Sequence, residues 1–174
     1  CLTCVATNAQ QKSVNAADYS ANLAPGALAS AFGIDLALET EAARSLPLPT
    51  ELAGTRVLVN GKAASLLYVS PSQINYLIPA DTPVGNVEVR VERANNRSSE
   101  TIQVKSAGFA AFSLDATGTG EGAILDGRTF QPGPYEIQTE RGEATILALF
   151  GTGLGEAGNQ NFVSQRVRVF VGGL

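Results

Sequence analysis

The sequence contains no histidine, no methionine and no tryptophan. Without histidine, the commonest general base, the commonest metal ligand and the usual switch near neutral pH are all missing. A Ser–His or Cys–His nucleophile pair is excluded, and Gly-x-Ser-x-Gly is absent too. Charge is scarce. Asp, Glu, Lys and Arg make up 16% of the 174 residues, against about a quarter in an ordinary globular chain. The net charge is −4, and Arg90, Arg93 and Arg97 are interleaved with Glu88, Glu92 and Glu100. A nucleic-acid partner is excluded on this ground, because displacing phosphate counterions takes a cationic footprint. No apolar run approaches the roughly 20 residues of a membrane-crossing helix. With no Met at position 1, the chain reads as processed or as a fragment, and an exported form is expected to have lost its signal already.

Cysteine is nearly absent as well. The two residues are Cys1 and Cys4. One C-x-x-C pair without histidine is a poor zinc site. A redox motif of this spacing belongs at a helix start after a strand, not at the end of a chain. Two readings stay open. One is a small disulfide loop clipping the terminus. The other is an acylated N-terminal Cys1, which would attach the protein to a membrane by one lipid signal.

What is present is apolar and strand-like. Hydrophobic residues are 44% of the chain, enough to bury a core. The length suits about one and a half to two sandwiches of the immunoglobulin type, at roughly 100 residues each. Thr55-Arg56-Val57-Leu58-Val59 alternates and runs into Asn60-Gly61, the strongest short hairpin signal. Ala63 to Val69 reads as the return strand, and Ile74 to Ile78 as another. In Asn86 to Arg93, Val87, Val89 and Val91 point one way and charges the other. Thr101 to Val104 alternates again. Residues 34–47 read as a short helical turn or an irregular crossover. Ala144 to Phe150 and Arg166 to Val171 are the apolar strands of the second half, with Gly151, Gly153 and Gly155 between them as turns. Short strands at close spacing with turn residues between them predict an all-β protein of antiparallel sandwiches.

The halves repeat. Phe32-Gly33-Ile34-Asp35-Leu36 matches Phe150-Gly151-Thr152-Gly153-Leu154, and Arg56-Val57-Leu58-Val59-Asn60-Gly61 matches Arg168-Val169-Phe170-Val171-Gly172-Gly173, at spacings of 118 and 112 residues. The organisation expected is an extension over 1–12, an Ig-like sandwich over 13–106 and a second, incomplete one over 107–174. Sequence matching the strands of 63–104 does not follow Gly173. Truncation explains this, or strands from another polypeptide, or packing of the half-unit on the first. An open apolar edge is a template for another strand. Val167, Val169 and Val171 are the candidate assembly edge. The loosely patterned segment of Lys12 to Tyr19, with Val14, Ala16 and Tyr19, is the candidate donor.

Ser13 to Tyr19, Ala24-Pro25-Gly26, Phe32-Gly33, Leu46 to Thr50, Val59 to Ala64 and Leu67-Tyr68-Val69-Ser70-Pro71-Ser72-Gln73-Ile74-Asn75-Tyr76 with Ile78-Pro79 carry a resemblance. Together with Phe150 to Gly155, they resemble the uncharacterised C-terminal domain of exported proteins of acidobacterial type, over residues 13–174. The repeats are also similar to IPT/TIG-type Ig-like domains. The resemblance implies secretion and an Ig-like fold and brings no catalytic residue.

Other sites are thin. Asp115 to Glu121 places oxygen ligands at alternate positions, but too few carboxylates converge for calcium, and a loop is expected. Asp35, Glu39 and Glu41 read as a solvated face. Gln73 and Asn75 are expected to bond backbone, and Tyr68 and Tyr76 to pack in the core or at its rim. No cofactor and no metal is expected. The expectation is a non-catalytic structural or adhesive module at the bacterial cell surface or outside the cell. Its partner would be a second copy or another surface protein, in one version as a filament subunit joined by strand exchange. The alternative is a carbohydrate-binding or targeting accessory domain.

Overall fold

The computed structural model describes residues 11–94, 96–136 and 142–155. Every regular element among them is a strand. Nine strands fall before residue 107: β1 (Lys12–Asn15), β2 (Leu28–Phe32), β3 (Glu41–Ala42), β4 (Thr55–Val59), β5 (Lys62–Ala63), β6 (Ser65–Val69), β7 (Gln73–Leu77), β8 (Gly85–Arg93) and β9 (Asn96–Val104). Four short ones follow: β10 (Ala110–Ala111), β11 (Ile124–Asp126), β12 (Leu147–Leu149) and β13 (Gly151–Thr152).

The first nine make two antiparallel sheets, in the orders β1-β2-β7-β6-β3 and β5-β4-β8-β9. Alternation decides which side of each strand is covered. Val57 and Val59 of β4, Val87, Val89 and Val91 of β8, and Ile102 and Val104 of β9 form one wall of the core. Ala29 and Ala31 of β2, Leu66 and Val69 of β6, and Ile74 and Tyr76 of β7 form the other. The opposite side of β8 carries Glu88, Arg90 and Glu92. There Arg90 reaches Glu88 at 3.3 Å and Glu92 at 3.1 Å, and Arg97 reaches Glu92 at 3.5 Å. This is an all-β sandwich whose second sheet shows water a charged face.

The Asn60-Gly61 turn forms as its residues require: φ is +50° and +78°, and Val59 pairs with Lys62 across it. The return strand, however, is not one strand. Lys62–Ala63 stays with β4. The chain then crosses at Ala64, whose N–H still reaches Val57 O at 2.8 Å, and Ser65–Val69 joins the other sheet beside β7. Residues 34–47 contain no helix, only β3.

The N-terminal strand was hidden by its polarity. Gln11, Ser13 and Asn15 are all buried, at 5%, 6% and 0% exposure. Each is satisfied, as burial of a polar group requires. Gln11 donates to Val89 O at 3.0 Å and accepts from Ser98 Oγ. Tyr76 donates its phenol to Ser13 Oγ at 2.9 Å. Burial pushes that phenol well above the ordinary tyrosine range. Gln11 and Lys12, inside the expected extension, thus take part in the sandwich.

The stretches around Gly108 and Thr152 lie against the β1–β2 end of this sandwich. Asn15 Nδ2 donates to Asn22 O at 2.9 Å and to Gly108 O at 3.2 Å. The Leu28 amide donates to Thr152 Oγ1 at 2.7 Å. Gly153, at φ +84°, lies so close to the Gly108 carbonyl that no side chain fits between them.

Candidate assembly surface

Two hairpins in the molecule close in the same way. In β1, the Asn15 amide donates to Ser20 O at 2.8 Å and Asn15 O accepts from the Tyr19 amide at 2.9 Å. Its side-chain Oδ1 takes the Ala17 N–H at 2.9 Å. In β11, the Asp126 amide donates to Gln131 O at 2.9 Å and Asp126 O accepts from the Phe130 amide at 2.8 Å. Asp126 Oδ1 takes the N–H groups of Arg128 at 2.8 Å and Thr129 at 2.9 Å. Tyr19 and Phe130 both sit at φ +56°. Asn and Asp suit this position because the short side chain can bond backbone two residues on.

The return strands keep the correspondence. Ala16 N donates to Leu28 O at 3.0 Å, and Gly127 N to Ile146 O at 2.7 Å. Asn15 pairs with Ala29, and Asp126 with Leu147. Asn15 and Asp126 are 111 residues apart, while Leu28 and Ile146 are 118 apart, the spacing of Phe32 and Phe150. The hairpin β11–β12 thus repeats β1–β2 bond for bond, with a connection seven residues longer.

They differ in what surrounds them. The second edge of β2 is filled by β7, in the register Ala29 to Tyr76 and Ala31 to Ile74. Ala29 and Ala31 are wholly buried. Their counterparts are Leu147 and Leu149, which stay 49% and 44% exposed. Among the described residues, β12 pairs with β11 alone. The amides of Ile146, Ala148 and Phe150 face β11, so those of Leu147 and Leu149 face the open edge. Ile146, Phe150 and Phe130 add exposed apolar surface nearby. Among the described residues these make a short edge and an apolar face without a charged side chain on β12.

The residues singled out from the sequence fall as follows. Val14 is in β1, 5% exposed, opposite Ser30 of its own chain. Ala16 is half-buried in the turn. Tyr19 is 44% exposed, meets the Phe32 ring edge-on at 6.0 Å and 63°, and donates to Ala116 O at 3.2 Å. The segment proposed as a donor is therefore seated in cis. Cys1, Cys4, Val167, Val169 and Val171 lie outside the described residues. Gln73 and Asn75 bond side chain to side chain: Asn75 Oδ1 accepts from Gln73 Nε2 at 2.8 Å and from Ser30 Oγ at 2.9 Å. Tyr76 is in the core and Tyr68 is half-buried. Glu41 Oε2 caps the Ala53 amide at 2.8 Å.

The Asp115 loop is closed on itself. Asp115 Oδ1 accepts from Thr117 N at 3.1 Å and Thr117 Oγ1 at 2.8 Å, bonds that hold its carboxyl below the usual range. Among the described residues no three His, Cys, Asp or Glu side chains gather as a metal site. An open groove of about 570 Å³, lined by Lys62, Ser65, Leu77, Pro79 and Asp81 among others, carries one exposed ion pair, Lys62 with Asp81 at 2.6 Å.

What the sequence hid was the equivalence of Asn15 and Asp126, since an Asn in one repeat and an Asp in the other, 111 residues apart, break the 118-residue spacing. The signal was there in the small polar residue followed four positions later by an aromatic, Asn15 with Tyr19 and Asp126 with Phe130. A comparison of the chain with protein-family models finds no match, and a comparison with curated proteins finds none either.

Proposed function

We propose that the chain is a non-catalytic structural or adhesive module of the bacterial cell surface, made of two Ig-like repeats, that makes its contacts by accepting a strand beside β12. One observation carries this reading. Among the described residues, a hairpin equal to β1–β2 in its backbone bonds stands without the neighbour that β7 gives β2 in the first sandwich. Strand addition supplies affinity through main-chain bonds and selectivity through alternate side chains. The placement outside the cell rests on the resemblance to exported domains and on a surface rich in hydroxyls and amides. The carbohydrate alternative is less well supported, because the exposed aromatic pair Tyr19 and Phe32 meets edge-to-face and offers no flat platform.

Amide hydrogen exchange on the isolated chain tests the reading. Leu147 and Leu149 should exchange fast, while Ala29 and Ala31 should be protected. A chain that sediments as a monomer with all four amides equally protected overturns it.

A further inference from the structure

Asn-Gly occurs once in the chain, at 60–61, and Asp-Gly once, at 126–127. Both put a side-chain carbonyl carbon beside a main-chain nitrogen whose residue has no side chain to block approach. The structure treats the two pairs in opposite ways. At the second, both groups are tied. Gly127 N donates to Ile146 O at 2.7 Å, and Asp126 Oδ1 accepts from the Arg128 and Thr129 amides. An ionised carboxylate is also a poor electrophile. At the first, neither the Asn60 carboxamide nor the Gly61 N–H bonds to any of the described residues. Both residues are exposed, and a Cβ placed on Gly61 would meet nothing within 4 Å. The turn is held from its flanks instead, by Asn60 N on Glu88 O at 2.8 Å and by the pairing of Val59 with Lys62. The other asparagines differ. Those at 15, 22 and 75 have their Oδ1 bonded, and Asn86 and Asn96 precede Val87 and Arg97, whose side chains shield the nitrogen.

We propose that Asn60 is a self-modification site, at which the β4–β5 turn converts its own asparagine to isoaspartate and aspartate with water as the only co-reactant. The Gly61 nitrogen gives up its proton to hydroxide and bonds to Asn60 Cγ. The bond from Cγ to Nδ2 breaks, and that nitrogen leaves as ammonia after taking a proton from water. A five-membered cyclic imide remains. Water then opens it at one of its two carbonyls. Opening at Cγ leaves aspartate. Opening at the former main-chain carbonyl leaves isoaspartate, with the chain now running through Cγ. No electron donor or acceptor is needed. The native turn has to open for the ring to close, and it is well placed to do so. Among the described residues β5 pairs with β4 alone, over two residues that are both exposed, so this end of the hairpin opens at little cost. Two consequences follow. Either product adds a carboxylate to the recess where Asn60, Lys62 and Asp81 meet, so Lys62, already 2.6 Å from Asp81, faces two anions. Isoaspartate also adds a methylene to the main chain, and a two-residue turn built on two positive φ values no longer fits. The core strands beside it keep their partners, because β4 is held by β8 over five residues.

The test holds the folded full chain at mildly alkaline pH and follows it by isoelectric focusing and by tryptic mapping, which releases residues 57–62 between Arg56 and Lys62. One added negative charge per chain is expected, located in the 57–62 peptide. That peptide should split into isoaspartate and aspartate forms, isoaspartate in excess, at a rate that climbs in proportion to hydroxide. Gly61→Ala should slow the loss several-fold. A synthetic 57–62 peptide, treated alongside, keeps the proposal open to refutation. If the peptide loses its amide and the folded chain keeps it, the turn protects Asn60 and the proposal falls. It falls equally if Asn86 loses its amide as soon as Asn60 does, or if aspartate forms without isoaspartate, which would mean hydrolysis without the imide. In the isoaspartate form, the Ala64 amide, which reaches Val57 O, should exchange faster while those of Val89 and Val91 do not change. Unchanged exchange at Ala64 would overturn the claimed effect on the hairpin.

Discussion

The hairpins β1–β2 and β11–β12 share their turn, their register and their backbone bonds, and they live in different surroundings. Around the first, Ala29 and Ala31 are wholly buried in the core that also holds Val57, Val59 and Val89, with β7 paired beside β2. Around the second, the equivalent Leu147 and Leu149 are nearly half exposed. Identical local hydrogen bonding therefore does not make a core. The short-range part of the fold is written in the Asx turn and the pairing it starts, and the long-range part arrives only with a third strand. A two-stranded ribbon is marginal by itself, and here the neighbouring Gly108 and Thr152 are tied to the first sandwich through Asn15 and Leu28.

Substitutions around the two hairpins measure this difference. Tyr76→Ala empties a wholly buried site and should lower the unfolding free energy by about 3–5 kcal/mol in denaturant titration. Leu149→Ala should cost well under about 1 kcal/mol in the isolated chain, since no core closes over it. Equal costs would mean that the second hairpin is already packed. Next comes Asn15→Ala, which removes one acceptor and two donated bonds at a residue with no exposure. A loss of about 2–3 kcal/mol is expected, with faster exchange at the Ala17 amide. A cost no greater than that of Asp126→Ala would sink the view that Asn15 ties the two regions together.

Ser13→Ala should follow at about 1–2 kcal/mol, because it strands the Tyr76 hydroxyl in the core. Adding Tyr76→Phe should restore part of that loss, and a strictly additive double variant would count against the bond. The smallest effect is the pH dependence of the Asp126 turn. The Thr129 and Arg128 amides depress the Asp126 carboxyl. A depressed folded-state value gives stabilisation that is complete above the unfolded carboxylate range, near about 4, and fades as pH falls through the folded value. Exchange at Arg128 and Thr129, corrected for its intrinsic rate, should rise on acidification below about pH 4. Asp126→Asn should flatten that dependence while keeping the turn, since Asn15 holds the same turn without charge.

Much of the sandwich was legible because the residues that decide it act locally. Val87, Val89 and Val91 alternate with charges, and Asn60-Gly61 dictates its own turn geometry. Three features were not legible. β1 carries Gln11, Ser13 and Asn15 inward, so its polarity reads as loop until Val89 O, Ser98, Tyr76 and Gly108 are brought to meet it. The first half of β9, around Arg97 to Glu100, is a strand only because β8 draws it into register. The crossing at Ala64 takes the chain from β4 to β7 in the other sheet, a change of partner that the continuous run from Ala63 to Val69 does not announce. The apolar strand within 144–150 was legible, while the assembly edge expected at Val167, Val169 and Val171 lies outside the described residues; which side of β12 lacks a neighbour among the described residues follows from hydrogen-bond direction, which has no signature in a single strand's sequence.

The Gln11 side chain has a mechanical consequence. It grips Val89 O and Ser98 in one sheet while the next four residues form the edge of the other. A pull on the chain ahead of Gln11 is therefore shared between both sheets at once and cannot peel β1 away one bond at a time. For a module anchored from that side and loaded at its far end, this cross-sheet grip works as a strain relief, placed where tension would enter.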